Sequence, residues 1–299
     1  MRAVNATPPS GSGGLLAEHC LALLRAREGA AYVLERRLAG GRQGGAWLVR
    51  DAEKRPAVLK ATVDPGLLAR RRETSALVRA LVARGYPTPA WIHDGVSEDG
   101  VAYVVSEYVE GSTPAWAEVD VRQLLDAIEL QKRVAAPSAQ TWSDYAQHVA
   151  SDHSPTMRGL EGRGAAVERL LDRASCGLRS LGEIDLPRSD AVHGDLELGN
   201  TISVADRVVV VDIDACGPGT RALDHAWLYR DAARHGAADS VCSQIRAAGS
   251  AVAGEAVFRF CLVVACLELV AFVAAHGTAA SLSVEADHAR RCLERAARR

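Results

Sequence analysis

The chain has 299 residues, of which 48% are apolar, and a formal net charge of −2. That length and apolar content fit one large domain or two lobes with a substantial core, and exclude a disordered chain. The near-neutral charge gives no electrostatic case for nucleic acid or an anionic membrane as partner, and neither is expected.

Residues 1–14 are rich in Pro, Ser and Gly and read as a tail. They carry no basic-then-apolar signal pattern. Leu15 to Arg27 reads as a helix. Leu38 to Val49 reads as strand, Gly-rich turn, strand, with Gly40, Gly41, Gly44 and Gly45 in the turn. Glycines there let backbone N–H groups approach phosphates closely. Ala57 to Lys60 is a short apolar strand that ends on a lysine. A helix is expected from Asp64-Pro65, where proline is tolerated in the first turn, and it carries Glu73. Pro87 and Pro89 break the chain ahead of two strand-like runs, Trp91 to Gly95 and Val101 to Glu107. Trp116 to Val134, Thr141 to Asp152 and Gly164 to Leu181 have helical periodicity. Val208 to Val211 reads as a buried strand, and the chain beyond Asp224 reads as helices. Ala256 to Ala275 has about the length of a membrane span. Arg259 and Glu268 inside it would be costly in lipid, so a core helix is expected.

Seven cysteines are scattered at 20, 176, 216, 242, 261, 266 and 292, with no CxxC or metal-ligand spacing. Buried free thiols in a reduced, cytoplasmic protein are the simplest account, and Cys216 is expected to pack rather than react.

The densest chemistry lies in Val192-His193-Gly194-Asp195-Leu196-Glu197-Leu198-Gly199-Asn200, followed by Val208-Val209-Val210-Val211-Asp212-Ile213-Asp214. A carboxylate, a carboxamide five residues on and a second carboxylate after an apolar strand are the groups phosphoryl transfer needs. One Asp takes the proton of an acceptor hydroxyl, while an Asn and an Asp offer hard oxygens to Mg²⁺. Lysine occurs only at 54, 60 and 132, and asparagine only at 5 and 200. A scarce residue inside a motif is less easily incidental, which raises the weight of Lys60 and Asn200. Taken alone, Lys60 could equally be a solvated strand-end charge. Glu73 could be an exposed helix acid paired with neighbouring arginines.

The Asp-to-Asn spacing matches the protein-kinase catalytic loop H-R-D-x-x-x-x-N, with Gly194 in place of the arginine and Asp212-Ile213-Asp214 in place of D-F-G. Without that arginine, control through a phosphorylated activation loop is not expected. The H-G-D-x4-N form, with the run from Val211 to Ala226, resembles the aminoglycoside phosphotransferase family of small-molecule kinases. The motifs cover about residues 31 to 230. The position after Leu196, often His in that family, is Glu197 here.

The resemblance implies an α+β, two-lobed, protein-kinase-like fold. A small antiparallel-sheet lobe (31–108) would follow a tail and helix (1–30) and precede a larger, mainly helical lobe (109–299). It implies an ATP- or GTP-dependent, Mg²⁺-dependent kinase for a small-molecule hydroxyl. Asp195 would be the catalytic base, with Asn200 and Asp212 as metal ligands. Gly40, Gly41, Gly44, Gly45 and Lys60 would hold phosphates, Glu73 would pair with Lys60, and the backbone of Glu107 and Val109 would meet the base. His193 and Asp224 would support the loop. Glu197 is a possible substrate contact, and Asp214 could touch a second metal or the substrate, or form a turn.

Carboxylates that could line an acceptor wall (Asp144, Asp152, Glu183, Asp185, Glu197, Glu268) are interspersed with arginines. That favours an acceptor less cationic than an aminoglycoside, such as a nucleoside, peptide or glycosylated antibiotic. An antibiotic kinase is the leading expectation. A metabolite kinase acting on a choline-, amino-sugar- or homoserine-like acceptor comes next, and a nucleotide-binding pseudokinase last.

Overall fold

The computed structural model describes residues 12–38, 45–151 and 154–298. The chain forms two compact units, one from residues 1–112 and 209–215, the other from 113–208 and 216–299.

The first unit opens with helix α1 (Ser12–Glu28). Strands β1 (Val33–Arg37), β2 (Ala46–Arg50) and β3 (Pro56–Thr62) follow, then helix α2 (Pro65–Ala83), and strands β4 (Trp91–Val96) and β5 (Ala102–Glu107). The strands make one antiparallel sheet in the order β1-β2-β3-β5-β4. Side chains alternate along a strand, so Ala57, Leu59 and Ala61 of β3 are buried while the residues between them are less so. These three join Ala17, Cys20 and Leu24 of α1, with Val49 and Val105, in the core of this unit. Full burial of an aliphatic side chain such as Leu59 or Leu24 contributes roughly 1.5–3 kcal/mol. The alternation also puts Lys60 on the other face of the sheet.

Helix α2 starts as expected. The Asp64 carboxylate accepts from the N–H groups of Gly66 (2.8 Å) and Leu67 (3.0 Å), with Pro65 in the first turn. Its buried face carries Arg71, Thr74, Ser75, Leu77, Val78 and Leu81.

The second unit is mainly helical: α3 (Val121–Glu129), α4 (Trp142–Val149), α5 (Pro155–Leu160) and α6 (Ala165–Leu181) precede the motif segment at 192–200, and α7 (Ala222–Arg234), α8 (Asp239–Ala253), α9 (Glu255–His276) and α10 (Ala279–Ala297) follow it. Between them in the chain lie β6 (Asp190–Val192), β7 (Thr201–Val204), β8 (Arg207–Val210, its last two residues counted with the first unit) and β9 (Gly217–Gly219), which pair as β6-β9 and β7-β8. The helix expected over Trp116 to Val134 is shorter, because Asp120 caps a helix that runs only from Val121 to Glu129. Helix α9 is long and apolar enough to cross a membrane by length and composition. However, 61% of its most apolar stretch is buried in the protein, and it packs against α5, α6, α7, α8 and α10. All seven cysteines are free, and all but Cys176 are buried, Cys216 included.

Candidate active site

The residues singled out by the motifs gather in two places, one in each unit. In the first unit the Lys60 ammonium donates to Asp212 Oδ1 at 2.7 Å and to Asp214 Oδ2 at 2.9 Å. Burial of Lys60 opposes its charge, but Asp214 and Asp212 outweigh that and raise its pKa. Burial likewise pushes Asp214 up, and the cations Lys60 and Arg71 more than reverse it, holding the carboxyl below its usual range.

One expectation is corrected here. The Lys60–Glu73 ion pair does not form. Arg71, not Glu73, lies on the buried face of α2, with Nη1 3.7 Å from Asp214 Oδ1, and a step of two residues turns a helix about 200° to a different face. The strand expected over Val208 to Val211 runs from Arg207 to Val210, Asp212 takes a left-handed conformation (φ 62°), and Ile213–Ala215 form a 3₁₀ turn, one of the alternatives open for Asp214. Asp214 is therefore presented by the turn to Lys60 and Arg71, and is spoken for by these two cations. The Asp212 side chain, half exposed, has its Oδ1 engaged by Lys60. A left-handed non-glycine residue costs about 1 kcal/mol, a strain of the kind that collects at functional sites.

Gly40, Gly41 and Gly44 lie outside the described residues. Gly45, at the foot of that turn, has a left-handed φ of 83°. The N–H of Glu107 donates to the Ala90 carbonyl at 3.0 Å, and its carboxylate accepts from the Ala90 N–H at 3.1 Å. Val109 follows two residues after the end of β5 and is half-buried.

In the second unit the segment from Val192 to Asn200 is fastened to α7. The fully buried Asp224 carboxylate accepts from the N–H groups of His193 (2.7 Å) and Gly194 (3.2 Å) and from Gln131 Nε2 (2.8 Å). Burial pushes its pKa up, against the pull of His193 and of these N–H groups. Seven residues on, two turns along the same helix face, Asp231 accepts from Leu198 N–H and from Trp116 Nε1, each at 3.1 Å. Buried Val192, Leu196 and Leu198 anchor the loop between these points, leaving Asp195 and Asn200 half-buried. Asn200 Nδ2 donates to the Asp195 carbonyl at 2.7 Å, so its amide nitrogen faces the loop and its oxygen is turned away.

Gly194 answers why the arginine of protein kinases is missing. It has φ 87°, and a Cβ there would lie 2.3 Å from Cζ2 of Trp142. Trp142 in turn meets Trp227 of α7 edge-on, with ring centroids 5.4 Å apart. Glu197 bonds Arg230 Nη2 at 3.1 Å, and Arg230 also donates to the Ala265 carbonyl at 3.0 Å. Burial raises the Glu197 pKa, Arg230 opposes this, and neighbouring Asp195 adds to it.

Sequence reasoning missed Arg71, Gln131, Trp142, Arg230 and Asp231. Only Asp231 left a readable signal, its seven-residue spacing from Asp224. Among the described residues no group of three or more His, Cys, Asp or Glu side chains forms a ready metal cage. Mg²⁺ is usually held by one or two protein oxygens with substrate phosphates; the second unit offers the Asn200 amide oxygen and the first the half-exposed Asp212 carboxylate, both of the hard-oxygen kind this ion takes.

No curated protein matches the chain. Among solved structures it is similar to a thermostable mutant of aminoglycoside phosphotransferase APH(4)-Ia, with a TM-score of 0.64 and 16% identity over 91% of this chain and 98% of that one. It is also similar to a microcompartment-associated aminopropanol kinase (TM-score 0.60, 20% identity, 89% of this chain and 92% of that one). The third likeness is to the amicoumacin kinase hAmiN in complex with AMP-PNP, Ca²⁺ and Ami (TM-score 0.61, 12% identity, 96% of each chain). At these identities the likeness is one of fold, the two-lobed kinase-like architecture with its small antiparallel sheet. Residues 35–261, most of the sequence, match the phosphotransferase enzyme family APH; the chain belongs to that family and is a kinase.

Proposed function

We propose that the chain is a Mg²⁺-dependent, nucleoside-triphosphate-dependent O-phosphotransferase, working in the cytoplasm, whose acceptor is a hydroxyl of an antibiotic. The observation that carries the transfer chemistry is the loop held by Asp224, which fixes Asp195 beside Asn200. Asp195 accepts the proton of the acceptor hydroxyl. The hydroxyl oxygen forms a bond to the γ-phosphorus as the bond from that phosphorus to the β–γ bridging oxygen breaks, and the nucleoside diphosphate leaves. Lys60 holds phosphate oxygens. Mg²⁺, carried by Asn200 and Asp212, would supply charge neutralisation. Positioning and electrostatics account for most of the rate gain.

The charge state of the acceptor-side carboxylates favours a weakly cationic acceptor. Glu197 is matched by Arg230, and Asp144 and Asp185 are both bonded by Arg188, at 3.0 and 3.2 Å. A polycation would find these acids already neutralised. Hygromycin B, in a complex of the APH(4)-Ia relative, and amicoumacin are the antibiotics bound by related folds. The likeness to an aminopropanol kinase supports the second reading, a metabolite kinase.

The test is nucleotide consumption with Mg²⁺ across a panel of antibiotics, nucleosides, amino sugars, amino alcohols and choline, run beside Asp195→Ala. Turnover on an antibiotic class that the variant loses by about 10²–10⁴-fold supports the proposal. Turnover on an amino alcohol or sugar alone moves it to the second reading. Nucleotide binding with no turnover on any acceptor would count against both.

A further inference from the structure

Arg71 is only 4% exposed, yet none of the family motifs gives it a role. Its guanidinium carbon lies 5.3 Å from the centroid of the Trp91 ring, and its Nη1 faces Asp214 Oδ1 at 3.7 Å. Asp214 Oδ2 lies 2.9 Å from Lys60 Nζ. A continuous chain of contacts thus runs Trp91, Arg71, Asp214, Lys60. Burying a guanidinium is expensive unless it is matched by charge, and this one has Nε and Nη1 without a hydrogen-bond partner. At 3.7 Å the Asp214 contact is an ion pair longer than a hydrogen bond, so the guanidinium holds the carboxylate by charge. A planar guanidinium can stack on an indole and face a carboxylate at once, whereas an ammonium cannot.

We propose that Arg71 is a positioning residue: clamped against Trp91, it fixes Asp214, and Asp214, in place of Glu73, holds Lys60 for the nucleotide phosphates. The Lys60-to-helix link of a kinase-like lobe is thereby kept, but it passes from α2 through a cation and the 3₁₀ turn rather than directly through a helix carboxylate. The inference rests on the reading of Lys60 as a phosphate ligand.

The test is titration of the full chain with a fluorescent, non-hydrolysable ATP analogue in the absence of divalent metal, so that metal ligation by Asp212 or Asp214 plays no part. Lys60→Met is expected to weaken binding at least about tenfold, equivalent to about 1.4 kcal/mol. Arg71→Met should weaken it about tenfold, with partial rescue in Arg71→Lys, and Glu73→Gln should stay within about twofold of wild type. Circular dichroism and thermal unfolding check that each variant is folded. If Arg71→Met does not fold, Trp91→Leu and Arg71→Lys decide, each expected to weaken binding about threefold or more. Glu73→Gln matching Lys60→Met, with the Arg71 or Trp91 variants at wild-type affinity, overturns the role of Arg71 and leaves that of Lys60 intact. An unchanged Lys60→Met overturns both.

Discussion

Asp224 in the second unit and Asp214 in the first are carboxylates that each bond a neighbour to which the proposed transfer gives a role, yet they are satisfied by opposite means. Asp224 is fully buried and takes three N–H donors from neutral groups, two of them backbone. Asp214 takes two cations, one at 2.9 Å and one at 3.7 Å. Hydrogen bonds from neutral donors are directional and fail when geometry slips, whereas Coulomb attraction falls off slowly and tolerates slack. A proton acceptor must sit within hydrogen-bond reach of its donor, while phosphate charge can be met by a cation with some freedom. The loop is therefore set by direction, and the Lys60 cluster by charge.

The largest expected effect falls on the directional side. Asp224→Ala leaves three buried donors unsatisfied, at about 1–3 kcal/mol each. Urea denaturation should show a loss of about 4 kcal/mol, and kinase activity should vanish. A loss below about 1 kcal/mol would mean that the loop does not depend on this carboxylate. Next comes Gly194→Ala. Its Cβ collides with Trp142, and the left-handed φ adds about 1 kcal/mol. A destabilisation of about 3 kcal/mol is expected, and near-wild-type stability would show that Trp142 can step aside.

Acid should weaken the same region. Burial lowers the His225 pKa from 6.5 to about 4 on α7, next to Asp224. The unfolded chain binds that proton more readily, so this contribution is complete above about pH 6.5 and is lost as pH falls toward the folded value. Between about pH 7.5 and pH 5 the loss is about 2 kcal/mol. Denaturation curves across that range should show it, and His225→Gln should flatten the slope. If the variant keeps the full slope, another group is responsible. The smallest effect lies in the charge-held region. Asp212→Gly should be more stable than Asp212→Ala by about 1 kcal/mol, because only glycine relieves the left-handed backbone, although both should be inactive. Equal stability of the two would remove strain from the account of this turn.

The loop was legible in the sequence because its chemistry restricts residue types at fixed spacing, from Asp195 to Asn200 and on to Asp212. The Asp64-Pro65 start of α2 and the β3 strand were legible through capping and alternation. What stayed hidden depended on three-dimensional register. Arg71 and Glu73 are both plausible partners on paper, and only the seating of α2 decides which faces the cluster. Thr201 to Val204 is short and follows a 3₁₀ turn, so nothing in it announced a strand; it is defined by pairing with β8. The extra length expected of the helix at Trp116 came from apolar residues that serve other ends. Trp116 itself lies ahead of α3 and bonds Asp231.

The loop's dependence on α7 has a consequence for synthesis. His193 and Gly194 are 31 and 30 residues ahead of their shared acceptor. A ribosome delivers Asp195 first and Asp224 later, so a nascent chain carries the loop with no anchor beneath it. Until α7 has formed and docked, the two N–H groups find only water, and the loop has no reason to keep its shape. On the proposed mechanism, competence to transfer phosphate therefore follows completion of the helical unit, because the loop gains its anchor only with α7.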